Sequence, residues 1–230
     1  MTLQSLSGVA AFLPCDVTLA DIRNYELHTA ITDCRECHDG SPKEARILFV
    51  CRETGTKEES VVKVKIQLPD IAGPSAEPST TTNAEIQALK TFRTANTVST
   101  PHLVAFEQQV QPDDGPLPGG YVTYTIMSKM PGQNLLDYKY WSTGFEERAI
   151  IQEHFIVALR SLWALGIAPT DRALRNVLWE PISGQLSIVD FESWERPSGL
   201  AMDEQKELQA WGLAQRPPPG TWIDEWKLHH

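Results

Sequence analysis

The run Ser-Val-Val-Lys-Val-Lys-Ile-Gln at residues 60–67 constrains this chain more than any other stretch. Side chains alternate across a β-strand, so Val62, Val64 and Ile66 share one face and Lys63 and Lys65 share the other. Such lysines either sit on a solvated face or, inside a core, need a carboxylate partner. The neighbouring sequence turns this strand into a sheet. Residues 45–52 are rich in β-branched and aromatic side chains. Between the two runs, residues 53–57 read as a hairpin loop in which Gly55 supplies the positive φ. Residues 25–32 alternate loosely, and 103–109 and 121–127 read as further strands. Residues 16–23 read as a short helix.

Pro69, Gly73, Pro74 and Pro78, with a Ser/Thr run, make residues 69–83 a breaker-rich loop expected to be mobile. Asn83 then reads as the cap of a helix starting at Ala84, with helical periodicity over 85–93. The second half changes character. Over 146–165, Ile150, Ile151, Phe155, Ala158, Leu159, Leu162 and Trp163 recur at helical spacing, and Gly166 ends the run. Two short apolar runs, 176–179 and 186–191, flank Pro-Ile-Ser-Gly and read as a hairpin, and 203–213 reads as a last helix. The fold class expected is therefore α+β. A β-rich N-terminal lobe spans 1–127, a linker 128–134, and a short helical lobe with a hairpin 135–230. The two lobes are expected to flank a cleft.

Composition narrows the class. At 230 residues and 41% hydrophobic, the chain can bury a core without staples. A net charge of −10 argues against coating nucleic acid through a global field, but leaves room for a local basic pocket. No run approaches the ~18 apolar residues of a membrane helix. The apolar piece 8–14 has no basic residue before it, so neither a signal peptide nor a membrane partner is expected. Four cysteines then fit a reducing, cytoplasmic setting.

Three polar residues carry the chemistry. Asp171 and Asn176 are five apart just after the long helix, and Asp190 follows at the end of the hairpin. The hairpin brings Asn176 and Asp190 to one rim, where hard oxygen ligands suit Mg²⁺. Asp171 beside them can take a proton from, or orient, an attacking hydroxyl. Upstream, a strand lysine, Lys63, held by a helix carboxylate, Glu85, can be aimed at a phosphate.

In this order the chain resembles a protein-kinase-like fold over roughly residues 25–195. Val61-Val62-Lys63-Val64 resembles the third-strand lysine motif, and Glu85 its helix partner. Residues 127–130 resemble the hinge that contacts adenine, so the resemblance implies nucleotide contacts at Lys63, Met127, Lys129 and Met130. Asp171-x4-Asn176 resembles the catalytic loop, and Asp190-Phe191-Glu192 the metal-binding Asp-Phe-Gly. The Asp-Phe-Glu form is similar to choline-kinase-like and aminoglycoside-phosphotransferase-like proteins, including minimal fungal ones. The resemblance implies Mg²⁺ and ATP as cofactors. It implies Asp171, Lys63 and Glu85 as catalytic residues, with Asn176, Asp190 and Glu192 at the metal. Arg172 and Arg175 either bind an anionic small-molecule substrate or neutralise the local carboxylates.

The sequence also departs from that pattern. It has no Gly-x-Gly-x-x-Gly between the first strands, where only Gly40-Ser41 stands. Pro169 replaces the catalytic-loop histidine, and few residues follow Asp190 for later helices. Three functions therefore remain: a phosphotransferase on a small metabolite; a repurposed enzyme, such as one making arginine-containing cyclodipeptides from charged tRNA in fungal secondary metabolism; and a silent pseudokinase that binds a protein. Cys34-x-x-Cys37-His38 has the form of a haem or half-zinc site, but reads better as a loop where the phosphate lid is missing. The segment from Trp222 to Trp226 is amphipathic and fits docking onto the C-terminal lobe or onto a second copy.

Overall fold

A sheet curled around an apolar core positions the first set of candidate residues. The computed structural model describes residues 16–20, 23–37, 42–199 and 201–214. Cys15, His38, Gly40, Ser41, Trp222 and Trp226 lie outside the described residues. The described chain forms two compact units. One holds the residues up to Thr97 together with Pro101–Lys129, and the other holds Val98–Thr100 and the residues from Met130 onward.

The first unit is antiparallel. Its strands are β1 (Asp16–Thr18), β2 (Asn24–Ala30), β3 (Arg35–Cys37), β4 (Glu44–Glu53), β5 (Glu59–Gln67), β6 (Leu103–Val110) and β7 (Tyr121–Ser128). They are ordered β1-β2-β4-β5-β7-β6, with β3 alongside β4. The register places Val62 opposite Phe49 and Ile126, and Val64 opposite Ile47 and Tyr124. These residues form one apolar face, closed by Val17, Leu19 and Tyr25 from the β1–β2 end. Side chains join the two outer strands: Gln109 Nε2 donates to Thr18 O at 3.1 Å, and Ala20 N donates to the Glu107 carboxylate at 3.2 Å. That covers backbone that a free edge would expose. Residues 16–18 are therefore a strand paired with β2, not part of a helix. Cys51 lies in this core, where burial pushes its thiol up to about 12.

The opposite face carries Leu48, Val50, Val61, Lys63, Lys65, Gln67, Thr125 and Met127 by the same register. Helix α1 (Thr80–Ala95) packs on it, burying Ile86, Leu89 and Phe92 at roughly 1.5–3 kcal/mol each. Helix α1 starts a turn earlier than Asn83 implies. Ser79 is the cap, with Oγ accepting from Thr82 N at 3.2 Å. The breaker-rich stretch before it is tied down by Gln67 and by Gln108, whose Nε2 donates to Ala76 O at 2.8 Å. Gln67 Nε2 donates to Gly73 O at 2.9 Å, and its Oε1 accepts from Ser75 N at 3.0 Å.

The second unit is built on α2 (Phe145–Ala164). Its buried stripe is Ile151, Phe155, Ala158, Leu159 and Leu162, whereas Ile150 faces outward. Glu146 and Glu147 in the first turn suit the positive end of the helix dipole. Phe155 meets Trp211 edge-on at 5.1 Å, just after the short helix α3 (Glu204–Ala210). Strands β8 (Gln133–Asn134), β10 (Val177–Glu180) and β11 (Gln185–Ile188) form one small sheet, and β9 (Ala168–Pro169) pairs with β12 (Trp194–Glu195). Gly132 leads into β8 at φ +92°, and a Cβ there would lie 2.4 Å from Trp179 O. Only glycine lets these two backbones approach. The element order expected from the sequence, an α+β chain with a β-rich part first and a short helical part with a hairpin after, is met. No described helix is long and apolar enough to cross a membrane.

Candidate functional site

In the first unit, β5 lies between β4 and β7, with α1 on one face and the apolar core on the other. Both faces are covered, so a lysine here must be paired or neutral. Lys63 Nζ lies 2.7 Å from Glu85 Oε1, and both side chains are only 3% exposed. The surface-lysine reading therefore fails for Lys63, and it fails equally for Lys65. Lys65 Nζ donates to Thr81 Oγ1 at 3.0 Å and lies 3.3 Å from Glu44 Oε2.

Towards the other end of this face the chemistry turns apolar. Val61 stands opposite Val50 on one side and Met127 on the other, and the two valines are only partly covered. Sequence reasoning finds Met127 but passes over Val50 and Val61. The signal was present, because alternation puts Val61 on the face of Lys63, two residues away. Beyond Met127, Lys129 reaches the surface and meets Glu59 Oε2 at 2.5 Å. That hydrogen bond is the main cause holding the Glu59 carboxyl below its usual range. Met130 opens the second unit.

In the second unit, two backbone pairings gather the remaining candidates. Pairing of β9 with β12, extended by Thr170 N to Ser193 O at 3.0 Å, joins the segment entering Asp171 to the one leaving Glu192. The β10–β11 hairpin pairs Val177 with Ile188, and Val189 N donates to Asn176 O at 2.9 Å. Asp190 thus follows directly on the residue bonded to Asn176. Pro169 fits where it stands, at the short ladder opposite Trp194.

The side chains are specific. Asn176 Nδ2 donates to Asp171 O at 2.9 Å and to Asp171 Oδ2 at 3.0 Å. Both partners are acceptors, so the amide nitrogen is fixed on that side and the amide oxygen points the other way. Arg175 Nη2 donates to Asp171 Oδ1 at 2.8 Å and to Oδ2 at 2.7 Å. Arg172 Nε lies 3.2 Å from Glu207 Oε2 on α3. Both arginines are therefore set on carboxylates. Asp190 has φ +67°, one of three described non-glycine residues in the left-handed region. Aspartate tolerates that region better than most residues, and such outliers persist where the surroundings impose them. Phe191 beside it is fully buried, and Glu192 is half-buried. Among the described residues no three His, Cys, Asp or Glu side chains converge as a metal cage.

No family model matches the sequence. No curated protein matches it either. Solved structures do match, among them the kinase PK-1 of the Cydia pomonella granulovirus, at 19% identity over 88% of this chain with a TM-score of 0.49. The chain spans 62% of that protein. The α+β layout rests on the strands and helices described above.

Proposed function

We propose that the chain is a kinase-fold phosphotransferase that uses Mg²⁺ and ATP to phosphorylate a small metabolite. The observation that carries this reading is the fully buried Lys63–Glu85 ion pair, continued along the same sheet face by the partly covered Val50 and Val61 beside the buried Met127. A buried lysine held by one carboxylate is a fixed cation, suited to an anionic phosphate. A flat apolar strip suits a purine ring.

The second unit supplies residues that fit the same ligand. Asn176 turns its amide oxygen away from Asp171, and Asp190 is held in the left-handed region. An amide oxygen and a carboxylate are the hard donors that Mg²⁺ takes, in small number, together with phosphate oxygens. Bound Mg·ATP would supply the transferable phosphoryl group. In this reading Lys63 orients the phosphates, Glu85 fixes Lys63, and Asn176 and Asp190, with Glu192, hold the metal. Asp171 accepts the proton of the acceptor hydroxyl. Met127, Lys129 and Met130 form the linker beside the base. Arg175 exchanges Asp171 for the acceptor when it binds. One observation favours the silent-module reading instead: Arg175 spans both Asp171 oxygens.

The test is a thermal-shift titration with Mg·ATP on the wild type and on Asp190→Ala. A ligand that binds only the folded state adds about 2.7 kcal/mol at a hundredfold excess over Kd. The expected result is a rise in melting temperature that is lost in the variant, followed by ADP formation with a hydroxyl acceptor that Asp171→Asn abolishes. No rise at millimolar Mg·ATP overturns the reading. A rise without any turnover leaves the silent module.

A further inference from the structure

Lys65 plays no part in the reading above, yet it is as deeply buried as Lys63. Its Nζ bonds Thr81 on α1 and sits beside Glu44 on β4. Glu44 in turn accepts a 2.7 Å hydrogen bond at Oε1 from the Tyr121 hydroxyl on β7. Burial, and next the bond to Glu44, push the Tyr121 phenol up, which keeps it a donor. Thr81 is bound from its other side by the helix cap, with Ser79 Oγ at 3.0 Å. The group therefore links three strands to the first turn of the helix.

The spacing gives this group a purpose. Lys63 and Lys65 are two apart on one strand, about 6.6 Å. Their helix partners, Glu85 and Thr81, are four apart, one turn, about 6 Å along the axis. The two rungs therefore match in length, with the helix running opposite to the strand. Apolar packing of Ile86, Leu89 and Phe92 holds α1 on the sheet, and two directional polar rungs add a constraint on both its rotation and its register.

We propose that the Lys65–Thr81 contact, backed by Glu44 and Tyr121, is a built-in latch that holds α1 in the one register where Glu85 reaches Lys63. Lys65 and Thr81 are positioning residues. The inference deepens the phosphotransferase reading and rests on it for its consequence, which is that the helix is set without an outside activator. The latch itself can be tested without nucleotide.

The probe is amine acylation of the native full chain, with Lys63 and Lys65 resolved by fragmentation in the mass spectrometer. Hydrogen exchange of α1 and β7 amides is followed in parallel. Thr81→Val removes the helix end of the rung and leaves the Lys65–Glu44 pair intact. It is expected to raise Lys63 acylation about tenfold, the size of effect that follows the loss of one hydrogen bond to a charged group. Glu85→Gln marks the released state, and Thr81→Ser, which keeps the hydroxyl, should restore the wild-type rate. Exchange should quicken in α1 and stay unchanged in β7. Wild-type acylation in Thr81→Val overturns the proposal. So does a rise mirrored in β7, or one that serine does not reverse, because each reports general loosening. If the latch behaves as stated and Mg·ATP gives no thermal shift, the phosphotransferase reading fails and the latch stands.

Discussion

Two ion pairs among the candidate residues, one in each unit, differ in one respect that decides their behaviour. Lys63–Glu85 in the first unit is 3% exposed at both ends, whereas Arg175–Asp171 in the second is 33% and 40% exposed. Water competes for the second pair and not for the first. The first is thus a fixed part of the fold. The second is a contact that a ligand can replace at low cost. A fixed cation and an exchangeable carboxylate suit the different tasks that the proposed function gives them.

The sharpest way to break this contrast is to remove one member of each pair. Lys63→Met removes the cation facing the buried Glu85 carboxylate and should cost about 3–5 kcal/mol. Lys63→Met with Glu85→Leu should recover most of that loss, because neither charge remains. Urea denaturation reads both. A single variant as stable as the wild type would show that the pair is open to water. The next largest effect tests the second unit away from any charge. Gly132→Ala sets a Cβ against the Trp179 carbonyl at positive φ, and should cost about 1–3 kcal/mol by the same measurement. The smallest effect is the most informative. Arg175→Ala should change stability by less than about 1 kcal/mol, while raising the Michaelis constant for the acceptor, which in the proposed reading loses the arginine that receives it. A loss as large as that of Lys63→Met would erase the distinction between the two pairs.

The sequence disclosed these features unequally, and the reason is range. Alternation over 60–67 is a local signal, and it placed Lys63 on the face that α1 covers. It also placed Lys65 there, but it held no sign that Glu44, some twenty residues back, would lie beside Lys65. The run of threonines before Asn83 read as part of a loop, a preference set by Pro69, Gly73, Pro74 and Pro78 before it. Tertiary contacts override that preference: Thr82 is buried and Thr81 meets Lys65. The stretch 69–83 looked loose because its own composition offers no core. The order of the part before α1 comes from Gln67 and Gln108, residues of strands on either side of it in sequence. Residues 16–18 became a strand because β2 was there to pair with them. In the second unit, Asp171, Asn176 and Asp190 were legible as a set because five residues and one hairpin separate them. The arginine across Asp171 sits at i+4, a separation that by itself leaves open whether a side chain turns to its neighbour or to a ligand.

The segment Val98–Thr100 has a consequence for the order in which the protein can be made. It belongs to the second unit, where Ser99 O accepts from Ile188 N at 2.8 Å and Val98 O accepts from Gln185 Nε2 at 3.2 Å. The chain then returns to the first unit at Pro101. On the ribosome these three residues emerge almost ninety residues before the hairpin that binds them. The first unit can finish its sheet while they wait, but the second cannot finish without them. A gene cut between residues 129 and 130 would therefore separate the hairpin from three residues that cap it, and the later fragment would start life incomplete.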